Sequence, residues 1–266
     1  MSDAGFRANG VVTLLTDFGL TDPYVGVMKG VMLSASPALK LVDLTHGVPP
    51  QAVAVGAWHI QQSWGRFPAG TVHMVVVDPG VGSARRILLV EQDGHLFLAP
   101  DNGVLAPTIG AGATVRSLDI ERFALPGASR TFHGRDVFSP AAAALAAGLD
   151  PSEAGELTED WVRMELPTPT VEEDGSVRAG VLYIDSFGNL VTMIGAEHLE
   201  RAEGWTTEVG GASMPLVGTY ADVEIGALLS LVGSGGTLEV SLRDGDAAAH
   251  LKVAPGDEVL LRPGPQ

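Results

Sequence analysis

Apolar runs alternate with helix-like segments through the first 150 residues of the chain. Val11–Leu15 and the β-branched run Thr71–Val77 are typical of strands, whereas Tyr24–Ser36 has the spacing of an amphipathic helix. The other elements predicted here are strands over Leu41–Leu44, Ile87–Glu91 and Leu96–Ala99 and helices over Ala52–Gln62 and Ser139–Ala147. Strands interleaved with helices favour an α/β fold whose sheet is largely parallel and covered by helices.

Local turn residues sharpen two of these predictions. Asp93-Gly94 separates two apolar strands and predicts a tight β-hairpin. Ser139 is the predicted N-cap of the alanine-rich helix, with Pro140 at its first position and Gly148 just beyond its end.

The pattern changes near residue 165. Leu166–Thr170 is proline-rich and Glu172–Gly175 reads as a turn, so we predict a linker over residues 166–172 between an N-terminal α/β domain (1–165) and a C-terminal domain (173–266). Short strands are predicted beyond it at Arg178–Asp185, Leu190–Ile194, Thr206–Val209, Leu228–Val232, Thr237–Ser241, Ala248–Val253 and Glu258–Arg262. Closely spaced strands separated by turn residues indicate a small antiparallel β-barrel.

Composition favours a folded cytoplasmic protein. Of the 266 residues, 45% are hydrophobic and 18% charged, so a sizeable core can form. The chain has no cysteine, which excludes disulfides, thiolate–zinc sites and a cysteine nucleophile and suits a reducing compartment. We also expect no signal peptide, because Met1–Gly10 lacks an apolar stretch, and no apolar run approaches the roughly 20 residues of a membrane span.

The net charge of −16 argues against nucleic-acid binding, which needs a basic surface. The acidity is explained most simply by solubility or adaptation to salt. Attraction of a cationic small substrate is the functional alternative.

Asp17 directly follows the first predicted strand. Ligands of open α/β sheets bind at the carboxyl ends of strands, and a carboxylate there can accept hydrogen bonds from both hydroxyls of a ribose. The structural alternative is that Asp17 caps a helix that begins near Asp22.

Asp78 closes the third predicted strand and is followed by a tight loop. Pro79, Gly80 and Gly82 allow the backbone to approach a ligand closely, and Arg85 comes late enough in the loop to fold back toward Asp78. A structural Asp–Arg pair that supports a turn is an equally good reading. No Lys-Ser/Thr follows, so this is not a phosphate-binding P-loop.

His133 precedes the alanine-rich helix and stands beside Gly134. Histidine is the side chain best suited to proton handling near neutral pH, although a lone histidine is more often structural. Asp101-Asn102-Gly103 is a strong turn signal that needs no function.

Two turns of the predicted barrel carry polar groups. Asp185–Leu190 combines an acid, an aromatic ring and an amide, which could hold an ammonium group, stack on a purine and bond its edge. Gly233–Gly236 has exposed backbone N–H groups that suit a carboxylate. Ordinary hairpin turns explain both segments equally well.

Taken together and in this order, these segments resemble one family, the S-adenosyl-L-methionine (SAM) hydroxide adenosyltransferases, relatives of the SAM-dependent fluorinase and chlorinase. The motifs are Thr-Asp-Phe-Gly (16–19), Asp-Leu-Thr-His-Gly (43–47), Asp-Pro-Gly-Val-Gly (78–82), Asp-Asn-Gly (101–103), Phe-His-Gly-Arg-Asp (132–136), Asp-Ser-Phe-Gly-Asn-Leu (185–190) and Ser-Gly-Gly-Thr-Leu-Glu (234–239). Each motif is weak alone, but seven in the right order are specific and cover nearly the whole chain.

The resemblance implies a Rossmann-like N-terminal domain with a central, mostly parallel sheet, a smaller C-terminal antiparallel β-barrel, and a homotrimer with active sites between subunits. It implies metal-independent hydrolysis of SAM, the substrate and not a cofactor, to adenosine and L-methionine. The family's water-activating residues map onto Asp78, Arg85 and His133, and its ribose carboxylate onto Asp17. Its other substrate contacts map onto Gln51, Asp185, Phe187, Asn189, Ser234 and Ala247.

Three alternatives stay open at this point. A SAM-dependent halogenase is disfavoured, because those relatives carry aromatic residues where this chain has Asp78 and His133. A non-catalytic SAM or adenosine sensor would need only the clasping residues. A metallohydrolase would use His46, Asp78, Asp101 and His133, but the chain has no paired-histidine spacing. One departure from the family pattern is Gly233, which stands where the family usually has Asn.

Overall fold

A computed structural model describes residues 6–199 and 204–264. The chain divides into two compact units, Met1–Leu166 and Pro167–Gln266, each with its own sheet. Residues 1–5, the start of the segment for which no signal peptide is predicted, lie outside the described residues. Within the described ranges, no helix is both long enough and apolar enough to cross a membrane.

The first unit is built around a seven-stranded mixed sheet. Its strands are β1 (Val11–Thr16), β2 (Lys40–Thr45), β3 (Val72–Val76), β4 (Ile87–Gln92), β5 (His95–Pro100), β6 (Thr114–Leu118) and β7 (Gly155–Leu157). Their order is β2-β1-β3-β5-β4-β6-β7, in which β2, β1, β3 and β5 are parallel. The pairings β5–β4, β4–β6 and β6–β7 are antiparallel. The predicted α/β class is confirmed, with the parallel strands confined to one half of the sheet.

The predicted hairpin explains where the strand direction changes. Asp93 and Gly94 both adopt positive φ, at 49° and 77°, so β4 turns back tightly into β5. The parallel half consequently ends at β5, and the sequence pattern alone did not predict the later strands β6 and β7.

Three helices pack on the parallel half of this sheet: α1 (Tyr24–Ala35), α2 (Val53–Ser63) and α4 (Ser139–Ala146). A single helical turn, α3 (Ile120–Phe123), follows β6. Met28 and Met32 of α1 pack in one apolar cluster with Leu145 of α4 and with Leu14 and Met74 of the sheet. These five side chains are completely buried, and each contributes about 1.5–3 kcal/mol by leaving water.

The second unit is a nearly closed antiparallel barrel, as predicted. Its strands are β8 (Thr170–Val171), β9 (Val177–Ile184), β10 (Leu190–Gly195), β11 (Thr206–Val209), β12 (Ala212–Pro215), β13 (Leu228–Val232), β14 (Thr237–Leu242) and β15 (Glu258–Arg262). The order is β12-β11-β15-β9-β10-β14-β13, with β8 paired to β9. The two ends approach each other where Val217 N donates to Ser230 O at 2.9 Å.

One predicted strand is wrong. Ala248–Val253 does not form a strand, because most of it belongs to the short helix α5 (Ala247–Leu251). The Asp246 side chain caps this helix by accepting from Ala249 N at 2.8 Å, and Lys252 ends it in the left-handed conformation. Alanines favour a helix once a cap is present, and this cap was not identified from the sequence. Within residues 6–199 and 204–264, four single turns of 3₁₀ helix lie at Trp64–Arg66, Pro151–Glu153, Ala196–His198 and Tyr220–Asp222.

A buried histidine pair lies in the first unit, inside the sheet. His73 Nδ1 is 2.8 Å from Thr13 Oγ1, and His73 Nε2 is 3.1 Å from His95 Nδ1. The His73 ring also stacks on Phe97, with ring centroids 4.9 Å apart. Burial, reinforced by the neighbouring His95, lowers the pKa of His73 to about 3.

This pair predicts acid sensitivity of the fold. Because the pKa of His73 is about 3 in the folded chain and 6.5 otherwise, the unfolded chain binds the proton more tightly. The stabilisation is therefore complete above pH 6.5 and is lost as the pH falls toward 3. We expect the free energy of unfolding to drop by about 2 kcal/mol more between pH 7 and pH 5 in the wild type than in His73→Gln. Urea unfolding at both pH values measures this, and identical pH slopes in the two proteins would contradict it.

Candidate functional site

Asp78 stands two residues beyond β3, at the carboxyl end of a buried parallel strand. The loop after it is tight, since Val81 N donates to Asp78 O at 3.2 Å and Ser83 N to Gly80 O at 3.1 Å. Gly82 adopts φ +78° and passes so close to the Arg130 carbonyl that a Cβ there would lie 2.4 Å from its oxygen. Glycine is thus required, and it brings this loop against the segment that leads to His133.

Arg85 folds back onto Asp78, as its position in the loop suggested. Its Nε donates to both carboxylate oxygens, at 3.0 Å to Oδ1 and 2.9 Å to Oδ2, and Nη2 also donates to Oδ2. The two side chains are almost buried, with exposed fractions of 8% for Arg85 and 4% for Asp78. The guanidinium carbon also lies 5.7 Å from the centre of the Phe138 ring. A fork of donors on one carboxylate fixes the orientation of both groups.

His133 completes a three-residue chain. Arg85 Nη2 lies 3.0 Å from His133 Nδ1, and arginine can only donate, so Nδ1 accepts and the ring proton sits on Nε2. Burial lowers the pKa of His133, and the positive charge of Arg85 lowers it further, while Asp78 and Asp136 oppose the shift. The imidazole is therefore neutral near pH 7 and offers Nε2–H as a donor.

One donor atom of this cluster makes no hydrogen bond within it. Arg85 Nη1 is buried and has no hydrogen-bond partner among residues 6–199 and 204–264. Leaving a charged donor buried and unpaired is costly, so an atom of this kind points to a group that the chain itself does not supply.

A π-helical turn, Gly134–Phe138, holds the backbone just after His133. Single π turns are frequent at functional sites because they redirect side chains. Ser139 Oγ donates to Gly134 O at 2.7 Å and stabilises this turn. The prediction that Ser139 caps α4 is therefore wrong: Phe138 is already helical, so α4 continues directly from the π turn.

Asp17 lies in the loop after β1, and its Oδ2 accepts from Gln51 N at 2.8 Å. Gln51 adopts φ +65°, an uncommon conformation for a residue other than glycine, which aims its amide at this carboxylate. Asp17 does not cap α1, whose N-cap residue is Pro23 and which has no side-chain cap. Asp17 and Gln51, both predicted substrate contacts, are thus brought together.

An aromatic cluster joins the Asp17 loop to the His133 loop. Phe18 and Tyr24 each contact the Phe132 ring edge to face, with centroids 6.1 Å and 5.3 Å apart. Because Phe18 follows Asp17 and Phe132 precedes His133, the two loops form one continuous surface of the first unit.

In the second unit, Asp185 organises the turn between β9 and β10. Its Oδ1 accepts from Phe187 N at 2.8 Å and Asn189 N at 2.9 Å, while Oδ2 accepts from Asn189 Nδ2 at 3.0 Å. The hairpin-turn reading is therefore realised in full. The same bonds leave the Phe187 ring 75% exposed at the tip of the turn.

A cavity of about 560 Å³ opens beside this turn. Its lining residues are Phe187, Asn189, Tyr220, Ala221, Leu242, Arg243, Asp244 and Gly245. Tyr220 and Arg243 were not singled out from the sequence. Tyr220 hydroxyl donates to Glu239 Oε1, and burial together with that carboxylate raises the pKa of Tyr220 to about 12. A 3₁₀ turn with a Thr219–Asp222 capping box places Tyr220 here, and this capping signal was not identified from the sequence.

The remaining predicted contacts of the second unit lie outside this lining. Ala247 begins α5 and is fully buried, and Ala248 N donates to Gly188 O at 3.0 Å, so α5 begins against the Asp185 turn. Ser234 is exposed in the turn between β13 and β14. Gly233 lies beside Glu239, where an added Cβ would be 2.7 Å from Oε2, so a larger residue here would require the Glu239 side chain to move.

Two residues of the metallohydrolase alternative, His46 and Asp101, form hydrogen bonds with other side chains. His46 Nδ1 lies 2.8 Å from Thr16 Oγ1, and Asp101 accepts from Arg86 Nε at 2.9 Å. Across the residues that the structure describes, no group of three His, Asp or Glu side chains is arranged to hold a metal ion.

Comparison with known proteins gives consistent matches to one family. Residues 12–155 match the N-terminal domain, and residues 179–260 the C-terminal domain, of SAM hydroxide adenosyltransferase. The chain is 38% identical to an (R)-S-adenosyl-L-methionine hydrolase of Salinispora tropica, covering 95% of this chain and 98% of that protein. It is 28% identical to a fluorinase of an Actinoplanes species, over 88% and 91% of the two chains.

A solved structure has the same fold. It is that of an uncharacterized conserved protein from Thermotoga maritima, with a TM-score of 0.84, 32% identity and coverage of 94% of this chain and 99% of that one.

Proposed function

The chain belongs to the SAM hydroxide adenosyltransferase family, and on this premise we propose that it is an enzyme that hydrolyses SAM to adenosine and L-methionine. The observation that carries the proposal is the Asp78–Arg85–His133 chain, with its buried, unpaired Arg85 Nη1. The substrate of the relative from Salinispora tropica is named as the R epimer, so we extend the proposal to (R)-SAM.

The reaction is an in-line displacement at C5′ of SAM. The C5′–sulfur bond breaks, its electron pair stays on sulfur, and L-methionine leaves as a neutral thioether that needs no proton. The oxygen of water forms the new bond to C5′ and loses one proton to give the 5′-hydroxyl of adenosine. The difficulty is the nucleophile, because bulk water has a pKa of about 15.7.

The three side chains would act on this water as an orienting set. Asp78 accepts a hydrogen bond from the water through lone pairs that Arg85 leaves free, and takes up its proton as the C5′–oxygen bond forms. Arg85 Nη1–H and His133 Nε2–H donate to the oxygen and stabilise its hydroxide character. Orientation, rather than a strong base, supplies most of the rate, since a carboxylate is a weak base.

The substrate contacts follow from the family resemblance. We assign the ribose hydroxyls to Asp17, beside the Gln51 amide, and the adenine and amino-acid groups to Asp185, Phe187, Asn189, Ser234 and Ala247. An exposed Phe187 ring next to a cavity supports a stacking role. Asp185 would act chiefly by shaping the turn, because both of its oxygens already accept bonds from that turn.

The proposal includes a cytoplasmic homotrimer that needs no cofactor, with the site completed by a neighbouring subunit. Large exposed apolar side chains support an association of subunits, among them Leu20, Phe187 and Ile225, which are 74%, 75% and 69% exposed. Sedimentation equilibrium measures the assembly state, and a monomer at micromolar concentration would remove this part of the proposal.

The test of the function is a product analysis of purified protein with each sulfonium epimer of SAM, in metal-free buffer with chelator, with and without chloride. We expect adenosine and methionine in equal amounts, independent of chloride and chelator. A chlorinated nucleoside would indicate the halogenase alternative. Bound but unchanged SAM would indicate the sensor, and activity restored by zinc or magnesium the metallohydrolase.

The protonation state of His133 predicts the acid limb of the pH profile. The neutral ring is needed, because a proton on Nδ1 would face the Arg85 guanidinium. Since burial and Arg85 lower the pKa of His133 below 6.5, kcat/KM should persist below pH 6.5 and fall only as the pH drops through that lowered pKa. Rate measurements between pH 4.5 and 9 test this, with His133→Asn as the comparison. An acid limb at or above pH 6.5, or an unchanged one in the variant, would contradict the assignment.

A further inference from the structure

His46 joins both ends of the loop that carries Asp17. Its Nδ1 lies 2.8 Å from Thr16 Oγ1, at the beginning of the loop, and its carbonyl oxygen accepts from Gly19 N at 2.8 Å, at the end. Thr16 Oγ1 also accepts from Phe18 N at 3.2 Å. Every residue that flanks Asp17 therefore bonds to His46 directly or through one hydroxyl.

These contacts are buried, so water does not compete for the hydrogen bonds. The side chains of Thr16 and His46 are almost completely inaccessible, with exposed fractions of 0% and 4% for the two residues. A buried hydroxyl that both donates and accepts is geometrically specific, because a shift of either partner leaves a polar group unsatisfied.

A carboxylate also contacts the other ring nitrogen of His46. Asp43 Oδ1 lies 3.0 Å from His46 Nε2 in an electrostatic contact, since Nε2 has no hydrogen-bond partner among residues 6–199 and 204–264. Asp43 Oδ2 accepts from Lys29 Nζ of α1 at 2.6 Å. Burial raises the pKa of Asp43, but Lys29 and His46 outweigh that effect, so the carboxyl remains ionised. A carboxylate against Nε2 favours the tautomer with the proton there, in which Nδ1 accepts from the Thr16 hydroxyl.

The strand register brings His46 to this position. The parallel pairing of β1 with β2 shifts between Leu14 and Leu15, so that Leu15 faces Thr45. The end of β2 is thereby displaced along β1, and the following residue, His46, reaches the Asp17 loop. The chain then continues to Gln51, whose amide donates to Asp17 from the other side.

We propose that His46 is a positioning residue, which fixes the Asp17 carboxylate for the two ribose hydroxyls of the substrate through Thr16 Oγ1 and the Gly19 amide. This inference rests on the proposed function only for the ribose. The predicted rigidity of the Asp17 loop does not depend on the reaction.

Two isosteric variants separate the contacts of the ring. In His46→Asn the amide can replace Nδ1 and keep the bond to Thr16, whereas in His46→Gln it replaces Nε2 and keeps only the contact with Asp43. We expect the amides of Phe18 and Gly19 to exchange hydrogen about 5–10-fold faster in His46→Gln and in Thr16→Val, and at nearly the wild-type rate in His46→Asn. Thr16→Val supplies the result if the His46 variants fold poorly. Unchanged exchange in both Gln and Val variants would overturn the proposal.

Ligand binding tests the link to Asp17 without turnover. Calorimetry compares adenosine with 2′,3′-dideoxyadenosine, with Asp17→Asn as reference. We expect His46→Gln to weaken adenosine binding about 5–10-fold and to leave the dideoxy ligand unaffected, as Asp17→Asn would. Equal weakening of both ligands would overturn the positioning role of His46. If the wild type bound both ligands equally, the ribose assignment of Asp17 in the proposed function would fail. Hydrogen exchange alone would then test whether His46 makes the Asp17 loop rigid.

Discussion

Asp78→Asn is expected to lower kcat for SAM hydrolysis by about 100-fold or more, since a positioned acid–base group contributes about 10²–10⁴-fold. Arg85 Nε donates to both carboxylate oxygens of Asp78. An asparagine would present one acceptor and one NH₂ group, and the latter would face the guanidinium donors. The variant therefore removes the acceptor for the water proton and also releases Arg85 from its position beside His133. Steady-state formation of adenosine, followed by chromatography, measures the effect.

The chain offers a matched control one residue further along. Arg86 pairs with Asp101, whose side chain is only 3% exposed, in the same way as Arg85 pairs with Asp78. Asp101→Asn should lower the free energy of unfolding by about 1–3 kcal/mol and leave kcat unchanged. Equal losses of kcat in the two variants would indicate that the Asp78–Arg85 pair has only a structural role, or that Asp101 and Asp78 belong to one shared active site.

Arg85→Lys is expected to lower kcat by about 100-fold, although it keeps the positive charge. One guanidinium contacts Asp78 through Nε and His133 through Nη2 and leaves Nη1 buried and unpaired. A single ammonium cannot place donors at all three positions. The KM for SAM should change less than kcat, because Arg85 is assigned to the water and not to the substrate.

Arg86→Lys is the matched control for this variant, since the Arg86 side chain is 35% exposed and an ammonium can still reach Asp101. Asp78→Asn and Arg85→Lys combined should be little worse than the more damaging single variant, because the two residues act as one unit. Fully additive losses in kcat would show that the two residues act independently, which contradicts this prediction.

The sequence pattern predicted the elements that are periodic and bounded by turn residues. All but one of the predicted helices and strands occur with small changes of their ends, and the Asp93-Gly94 hairpin is present. The incorrect predictions concern segments whose secondary structure depends on contacts beyond the local sequence pattern. α5 depends on the Asp246 cap, and the start of α4 depends on the π turn that Ser139 holds. The last two strands of the first sheet, β6 and β7, carry weaker patterns, because their residues are only partly buried.

The candidate site was predictable as a set of loops but not as a geometry. Sequence placed Asp78, Arg85 and His133 after strands or before a helix, and resemblance gave their roles. The tautomer of His133 and the unpaired Arg85 Nη1 depend on how two distant loops meet at Gly82 and Arg130. For Asp185–Leu190 the sequence left an ordinary hairpin turn and a ligand contact equally open. The structure shows that Asp185 bonds its own turn, with the Phe187 ring exposed beside the cavity.

The most direct test of water attack at C5′ is hydrolysis of (R)-SAM in water enriched in ¹⁸O, with mass spectrometry of both products. The account predicts adenosine with one ¹⁸O atom in its 5′-hydroxyl group and methionine without label. Unlabelled adenosine, or label in methionine, would contradict attack of water on C5′ and with it the role assigned to Asp78, Arg85 and His133.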